Sequence, residues 1–438
     1  MTPMLQPPAW LSHLYIVLFA LLPWSFEYSF GLWKLNVPDE PLIAAVGIGL
    51  GWFVLKNLRE TRTAFSNNFF LQISVAWIGW LGISACFSTM PMVSWKYWVV
   101  EAGHWWAFAA GLMLFPAIWQ PAIRVFTISM VGVVIYTLVH HSFYHFRADQ
   151  ALLAPMPFFP ENTLYAAVLG MVVFASFNPT PSPSPTGRGD VAYAETSSVT
   201  TSTERSTSPL PLGEGSGVGL IKVILLTGLL FSFCRAAWIS VVLAGAVGLM
   251  LNFRKKWRWF ALAGISLLIA GFLFRGQIID KIAKDVSAIE RLNRYACAFR
   301  MAHDRPWTGF GPGTFQFQYI PYQKPEEMTR ISAKEPVTER SPQTYGRGGG
   351  AHSEFLQALA ETGWPGFLLW TLLASTILGV GFKRRFQEQN KENQRLVLAL
   401  ALSLLTFFLH GLFNNMLHDG RVAALVWGMI AVISSRRQ

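Results

Sequence analysis

The stretch GLIKVILLTGLLFSFCRAAWISVVLAGAVGLMLN, residues 219–252, holds two apolar runs separated by little more than one charged side chain, Arg235. A helix needs about twenty mostly apolar residues to cross the hydrocarbon core of a bilayer, and each run approaches that length. An arginine at such a depth costs roughly a few kcal/mol unless it reaches water or an anion. Arg235 therefore marks a candidate site, the competing reading being that its long stem simply snorkels to the headgroups.

The rest of the chain extends the pattern. Of its 438 residues, 52% are hydrophobic and 13% charged, the latter about half the share usual in soluble proteins. Eighteen Trp and 34 Phe add side chains favoured in bilayers and at their edges. The net charge of +11 is not gathered into one basic domain with exposed aromatics, which excludes a nucleic-acid-binding module. Cys86, Cys234 and Cys297 show neither pairing nor metal-ligand spacing. Met1 to Trp10 lacks the basic start of a cleaved signal peptide, so the first apolar run is expected to be kept as a span.

The fold class expected is all-α: a polytopic membrane protein with about twelve transmembrane helices and a large, partly helical periplasmic loop. Spans are placed near 10–28, 40–57, 69–88, 98–118, 122–142, 162–178, 219–234, 236–252, 257–275, 365–382, 395–414 and 420–435. Basic residues fall in alternate loops. Lys56, Arg59 and Arg62 form one cluster, and Arg254, Lys255, Lys256 and Arg258 another. Lys383, Arg384, Arg385, Lys391 and Arg395 make a third, with Arg436 and Arg437 at the end. All lie on one side if the span count holds, and that side should be cytoplasmic, with both termini inside.

Five regions follow: an N-terminal transmembrane bundle over 1–178, a low-complexity cytoplasmic loop over 179–217, central helices over 218–275, a periplasmic catalytic loop over 276–364 and C-terminal helices over 365–438. The segment 179–217 has too few apolar residues to offset the entropy of ordering and is expected to be disordered. The loop 276–364 carries aromatics, Gly turns and helix-like stretches, enough for a small folded cap.

Chemistry concentrates in that loop. RLNRYACAFRMAHDRPWTGFGPGTFQF starts as a basic, helical segment and ends with Gly309, Gly311 and Gly313 around Pro312, a pattern for a tight turn or a close backbone approach. Farther on, GRGGGAHSEFLQALAETGWPGF places His352 after a run of glycines and at the start of a helix ending at Gly363. A neutral imidazole there can accept a proton near pH 7. Glu354 and Glu361 are close in sequence, and Glu354 could orient the ring or lie on another helix face; a surface or capping histidine is the bland alternative. His140, His141 and His145 read as interfacial or packing residues, while His410 and His418 stand near the last periplasmic turn.

Three segments resemble the O-antigen ligase and polymerase family. AHSEFLQALAETGWPG fits its signature of a His followed by a small polar residue and, nine residues on, a Gly-x-x-Gly ending, at His352, Ser353, Gly363 and Gly366. CRAAWIS is similar to the family's Ser-Arg-Ala element, with Cys234 in place of the small polar residue. RLNRYACAFRMAHDRPWTGFGPGTF is similar to its stretch of an Arg four residues before an aromatic, followed by a Pro-x-x-Gly-x-Gly turn; Arg291 is the matched arginine and Arg294 the alternative. The likeness covers roughly residues 215–416, and the earlier spans only by topology.

The resemblance implies a glycosyltransferase of the bacterial inner membrane, with its active site facing the periplasm among membrane lipids. The donor would be a polyprenyl-pyrophosphate-linked glycan and the acceptor a hydroxyl of lipid A core or similar. Arg235 and Arg291 would clamp the diphosphate, and His352 would act as general base in a metal-independent, inverting displacement that uses no cofactor. Arg294, Ser353, Glu354, Gly311 and Gly313 would be substrate contacts. A polysaccharide polymerase or a protein O-oligosaccharyltransferase shares the pattern. A transporter is the competing class, but the candidate residues gather at one face and not at the midplane of internal repeats.

Overall fold

The structure, a computed structural model, describes residues 6–30, 33–66, 68–176, 215–253, 285–327 and 349–435, with 258, 266, 272–277 and 281. Most of the span expected at 257–275, nearly all of the low-complexity loop, Arg254, Lys255 and Lys256, and the terminal Arg436 and Arg437 lie outside the described residues.

Helices dominate: α1 Ala9–Leu21, α2 Asp39–Lys56, α3 Leu58–Ser66, α4 Phe69–Cys86, α5 Pro91–His104, α6 Trp119–Ser142, α7 Asn162–Ala175, α8 Gly215–Phe231, α9 Arg235–Asn252, α10 Val286–Asp304, α11 Glu354–Gln387, α12 Lys391–His410 and α13 Gly420–Ser435. Among the described residues five helical stretches are long and apolar enough to cross a membrane: Phe69–Cys86, Pro116–Ser142, Arg235–Asn252, Glu354–Gln387 and Lys391–His410. The expected count of about twelve is not reached by that measure, because helices such as Asn162–Ala175 and Gly420–Ser435 are apolar but short.

One element departs from the all-α expectation. Phe26–Phe30 pairs with Trp33–Val37 in an antiparallel hairpin, with Phe26 opposite Val37. FEYSF alternates aromatic with polar residues, the period of a strand and not of a helix. The first apolar run accordingly ends as helix at Leu21 and continues only as a short 3-10 turn to Trp24.

The interior and exterior are both apolar. α7, α12 and α13 are buried over most of their surface, the signature of helices at the centre of a bundle. The outer helices turn large apolar side chains outward, such as Ile48, Leu55, Ile128 and Val242, each more than 60% exposed. Water would not tolerate that many, whereas lipid would. The chain is thus a multi-pass helical membrane protein.

Two breaks position the site. α8 stops at Phe231, and Phe233 takes a left-handed φ of 52° before Cys234 caps α9. The tight turn is held by Asn162, whose Nδ2 donates to the Ser232 carbonyl at 2.8 Å, and by Trp238, whose indole donates to Leu229. Inside α11, Pro365 has no N–H to offer the Glu361 carbonyl one turn back, and Gly363 leaves helical geometry with φ 70° and ψ −173°. The freed carbonyls find other donors: Ala360 O takes the Phe310 amide at 3.1 Å and Glu361 O the Gly311 amide at 2.9 Å. The Gly309–Phe315 turn therefore docks onto the break. A side chain at Gly309 would meet the Glu361 backbone at 2.3 Å, which explains why this φ of +64° belongs to glycine.

Candidate active site

His352 lies immediately before α11, with its backbone in the left-handed region at φ 54°. Such a conformation in a non-glycine residue costs about 1–3 kcal/mol and persists only where the surroundings over-determine it. They do so here. Arg294 Nη1 donates to the Gly350 carbonyl at 3.0 Å, the Ala351 amide donates to Gln357 Oε1 at 2.7 Å, and the Glu354 amide donates to the Gly411 carbonyl at 2.8 Å. The Tyr295 hydroxyl sits 3.2 Å from the His352 carbonyl and 2.8 Å from that of Leu412. The glycines before His352 suggest a loose turn in sequence; in the structure Gly349 and Gly350 are fastened.

α10 supplies the cations. Asp285 caps it, accepting from the Ser287 amide at 3.0 Å, and Glu290, Asn293, Arg294, Cys297 and Met301 form its buried face. Arg294 is 7% exposed and engaged: its Nε donates to Glu290 at 3.1 Å and its guanidinium stacks over Tyr319. Arg291 differs. Its Nε is buried and has no hydrogen-bond partner among the described residues. Arg291 and Tyr295 stand one helical turn apart, on the side of α10 that faces the His352 loop.

Electrostatics link these groups. Burial, then the charges of Arg294 and Arg291, push the His352 imidazole down to about 4, with Glu290 opposing. The ring is thus neutral near pH 7, with a free lone pair. The field of Arg291 also reaches the Cys234 thiol, whose Sγ lies 3.8 Å from His410 Nε2. The turn before α9, the last turn of α12 and the His352 loop therefore border one arginine. Arg235, at the start of α9, is two-thirds exposed and donates from Nη2 to Asp285 at 2.7 Å, six residues before Arg291.

The remaining expected site residues turn their polar groups to the protein. Ser353 caps α11, its Oγ accepting from the Leu356 amide. Glu354 does not bond to His352; its Oε1 accepts from the amides of Met416 and Leu417, at 2.7 Å for the latter. The Gly313 and Phe315 amides both donate to Glu361 at 2.9 Å, and Gly311 presses on Ser88 and Ser94. The Gly-Pro turn is an anion cradle that the chain's own carboxylate fills. His140 and His141 bond to the Ala154 and Arg147 carbonyls within their own region. Among the described residues no group of three or more His, Cys, Asp and Glu is arranged to hold a metal ion.

Sequence reasoning missed Tyr295, Gln357 and Asp285. For Asp285 a signal existed, an Asp directly before a helical pattern, which is a favoured cap. For the other two the partner is set only by tertiary contact.

Fold and site together define a multi-pass membrane protein with an arginine and imidazole centre at one end of its bundle. Residues 220–371 match the family model described as O-antigen ligase, and this stretch holds Arg235, Arg291 and His352. No curated protein matches the chain.

Proposed function

We propose that the protein transfers a glycan from a polyprenyl-pyrophosphate carrier to a hydroxyl acceptor, lipid A core or a similar glycan end, at the periplasmic face of the bacterial inner membrane. The observation that carries this reading is the buried, unpartnered Nε of Arg291 beside the neutral imidazole of His352. A buried donor left without a partner costs about 1–3 kcal/mol, more when charged, so the site is built for an anion that arrives. Guanidinium suits a diphosphate, since its planar donors grip two oxygens and its charge is permanent.

In the reaction the acceptor oxygen attacks the anomeric carbon as its proton passes to His352 Nδ1 or Nε2. The bond from that carbon to the diphosphate oxygen breaks, and the electron pair leaves with the lipid diphosphate. A single displacement inverts the anomeric centre. Arg235 and Arg291 hold the developing charge, which in such sites supplies several kcal/mol of transition-state stabilisation. Burial, and then the cations that face it, keep His352 a weak base. A diphosphate seated on those cations cancels their repulsion and raises the basicity of the ring, so the base strengthens when donor is bound. Arg294, Ser353, Glu354, Gly311 and Gly313 shape this site from behind and do not touch substrate.

The orientation follows from charge. Lys383, Arg384 and Arg385 occupy the end of α11 opposite Glu354, and basic ends favour the cytoplasm.

The test is reconstitution of the full chain in vesicles with a lipid-pyrophosphate glycan and acceptor. Transfer is expected without any ion gradient, and His352→Ala and Arg235→Ala should insert normally yet lose transfer by orders of magnitude. Full transfer by His352→Ala removes the general-base assignment. One product of unchanged glycan length marks a ligase, a ladder of lengths a polymerase.

A further inference from the structure

We propose that Gln357 is the positioning residue for His352, joining the His352 loop to the Gly309–Phe315 turn as one unit. The inference rests on reading His352 as the base and adds how its geometry is set. Gln357 lies one turn into α11. Its Oε1 accepts from the Ala351 amide at 2.7 Å and its Nε2 donates to Glu361 Oε1 at 2.8 Å. The two partners fix the orientation of the carboxamide: reversed, the NH2 would face an N–H and the carbonyl would face a carboxylate.

Both ends of the link are rigid. Glu361 is locked by the Gly313 and Phe315 amides at 2.9 Å. On the other side, Gly350 packs so closely that an added Cβ would lie 2.4 Å from Gln357 Oε1 and 2.3 Å from Asn415 Nδ2. Gln357 thus anchors the Gly350–Ala351 peptide, one residue before the one that leads into His352, and Tyr295 lies on the His352 carbonyl, so the left-handed φ of 54° at His352 sits between two anchored points. The imidazole direction depends on this backbone, because among the described residues its ring has no hydrogen-bonded orienter of the kind that fixes a histidine in other acid–base sites; Glu354, the adjacent carboxylate, is turned to Met416 and Leu417. Gln357 touches no substrate in this arrangement and acts through the loop.

The experiment uses the full chain in vesicles with Gln357→Leu, Gln357→Glu and, as control, His352→Ala. Hydrogen exchange of the peptide holding Ala351 is the first readout. Gln357→Leu removes the acceptor and should speed exchange of that amide by about tenfold or more; Gln357→Glu keeps an acceptor for Ala351 and should leave it protected. In transfer assays Gln357→Leu should lower kcat by about tenfold or more with the donor KM within about twofold, since the arginines are untouched. Gln357→Glu faces Glu361 with like charge, and adding Glu361→Gln should recover part of the lost kcat by restoring one donor between the two side chains. Unchanged exchange at Ala351 in Gln357→Leu overturns the proposal. So does a wild-type kcat in that variant while His352→Ala is inactive. Full activity of His352→Ala instead sinks the base reading, and the exchange result then still decides whether Gln357 holds the loop.

Discussion

Two anion receptors stand within the same end of this bundle, and only one is filled by the chain. At the break in α11 the amides of Gly313 and Phe315 converge on the Glu361 carboxylate, with every donor matched. On α10 the guanidinium of Arg291 keeps a buried Nε without a partner beside His352. Arg294, one turn on, shows what a structural arginine looks like in this setting, with Glu290, the Gly350 carbonyl and Tyr319 all engaged. On the function proposed above, the difference separates scaffold from site: a closed receptor stabilises the fold, while an open one takes the ligand.

The largest expected effect breaks the open receptor. Arg291→Ala should lower transfer by about a hundredfold to ten-thousandfold while leaving thermal stability at or near wild type, because a half-buried arginine whose Nε no described residue partners is removed. Arg291→Lys keeps the charge without the fork and should recover only part of the rate. A large fall in stability in Arg291→Ala, measured by thermal unfolding in detergent, would mean that the arginine is scaffold after all.

The closed receptor should respond in the opposite way. Gly309→Ala forces φ +64° on a residue whose Cβ meets the Glu361 backbone at 2.3 Å, which should cost more than about 4 kcal/mol in unfolding free energy or prevent folding. Glu361→Gln is milder: it leaves one amide facing an NH2 and should cost about 1–3 kcal/mol. Neither variant, where it folds, should abolish transfer outright. If Glu361→Gln proves as stable as wild type but inactive, the carboxylate belongs to the chemistry and the two receptors are not distinct.

The legibility of these regions from sequence differs for a physical reason. The apolar runs announce their helices through composition alone, and Arg235 and His352 are conspicuous because a cation or imidazole near a membrane boundary demands a reason, whereas only the resemblance picks Arg291 over Arg294. By contrast, Ser353, Glu354, Gly311 and Gly313 look equally conspicuous as letters. What the letters do not show is where their partners lie: Leu417 for Glu354, 63 residues on, and Glu361 for Gly313, 48 residues on. The hairpin at Phe26–Val37 begins inside the span placed at 10–28 and occupies the loop read after it, although its two-residue alternation was there to see. The helix read as ending at Gly363 does break there, and a second helix follows at once across the kink because the Gly309–Phe315 turn supplies donors for the freed carbonyls.

Acid sharpens the contrast further. His352 is held down to about 4 by burial and by Arg294 and Arg291, against about 6.5 in an unfolded chain. As pH falls below about 6.5 the unfolded chain binds this proton first, so the folded state loses stability between roughly 6.5 and 4, by at most about 3 kcal/mol from this group. His352→Ala should therefore be less acid-sensitive than wild type in unfolding assays across that window. For the free enzyme, the acid limb of kcat/KM should lie near 4 and not near 6.5; a limb at the ordinary value would show that the two arginines do not face the ring in solution.

The smallest effect concerns Arg235, which stands between the two cases, paired but exposed. Its bond to Asp285 is short, 2.7 Å, and holds that carboxyl below the usual range, yet the arginine is two-thirds exposed, and pairs of this kind contribute about 0–1 kcal/mol. Asp285 also caps α10 through the Ser287 amide, a role asparagine performs about equally well. Asp285→Asn should therefore change stability by less than about 1 kcal/mol while removing the anion that competes for Arg235. A diphosphate then no longer has to displace a carboxylate, so the donor KM should fall by a few fold, with the change shrinking as salt is raised. An increase in KM would mean that Asp285 steers Arg235 toward the donor and does not stand in for it, and the pair would then act together on the diphosphate.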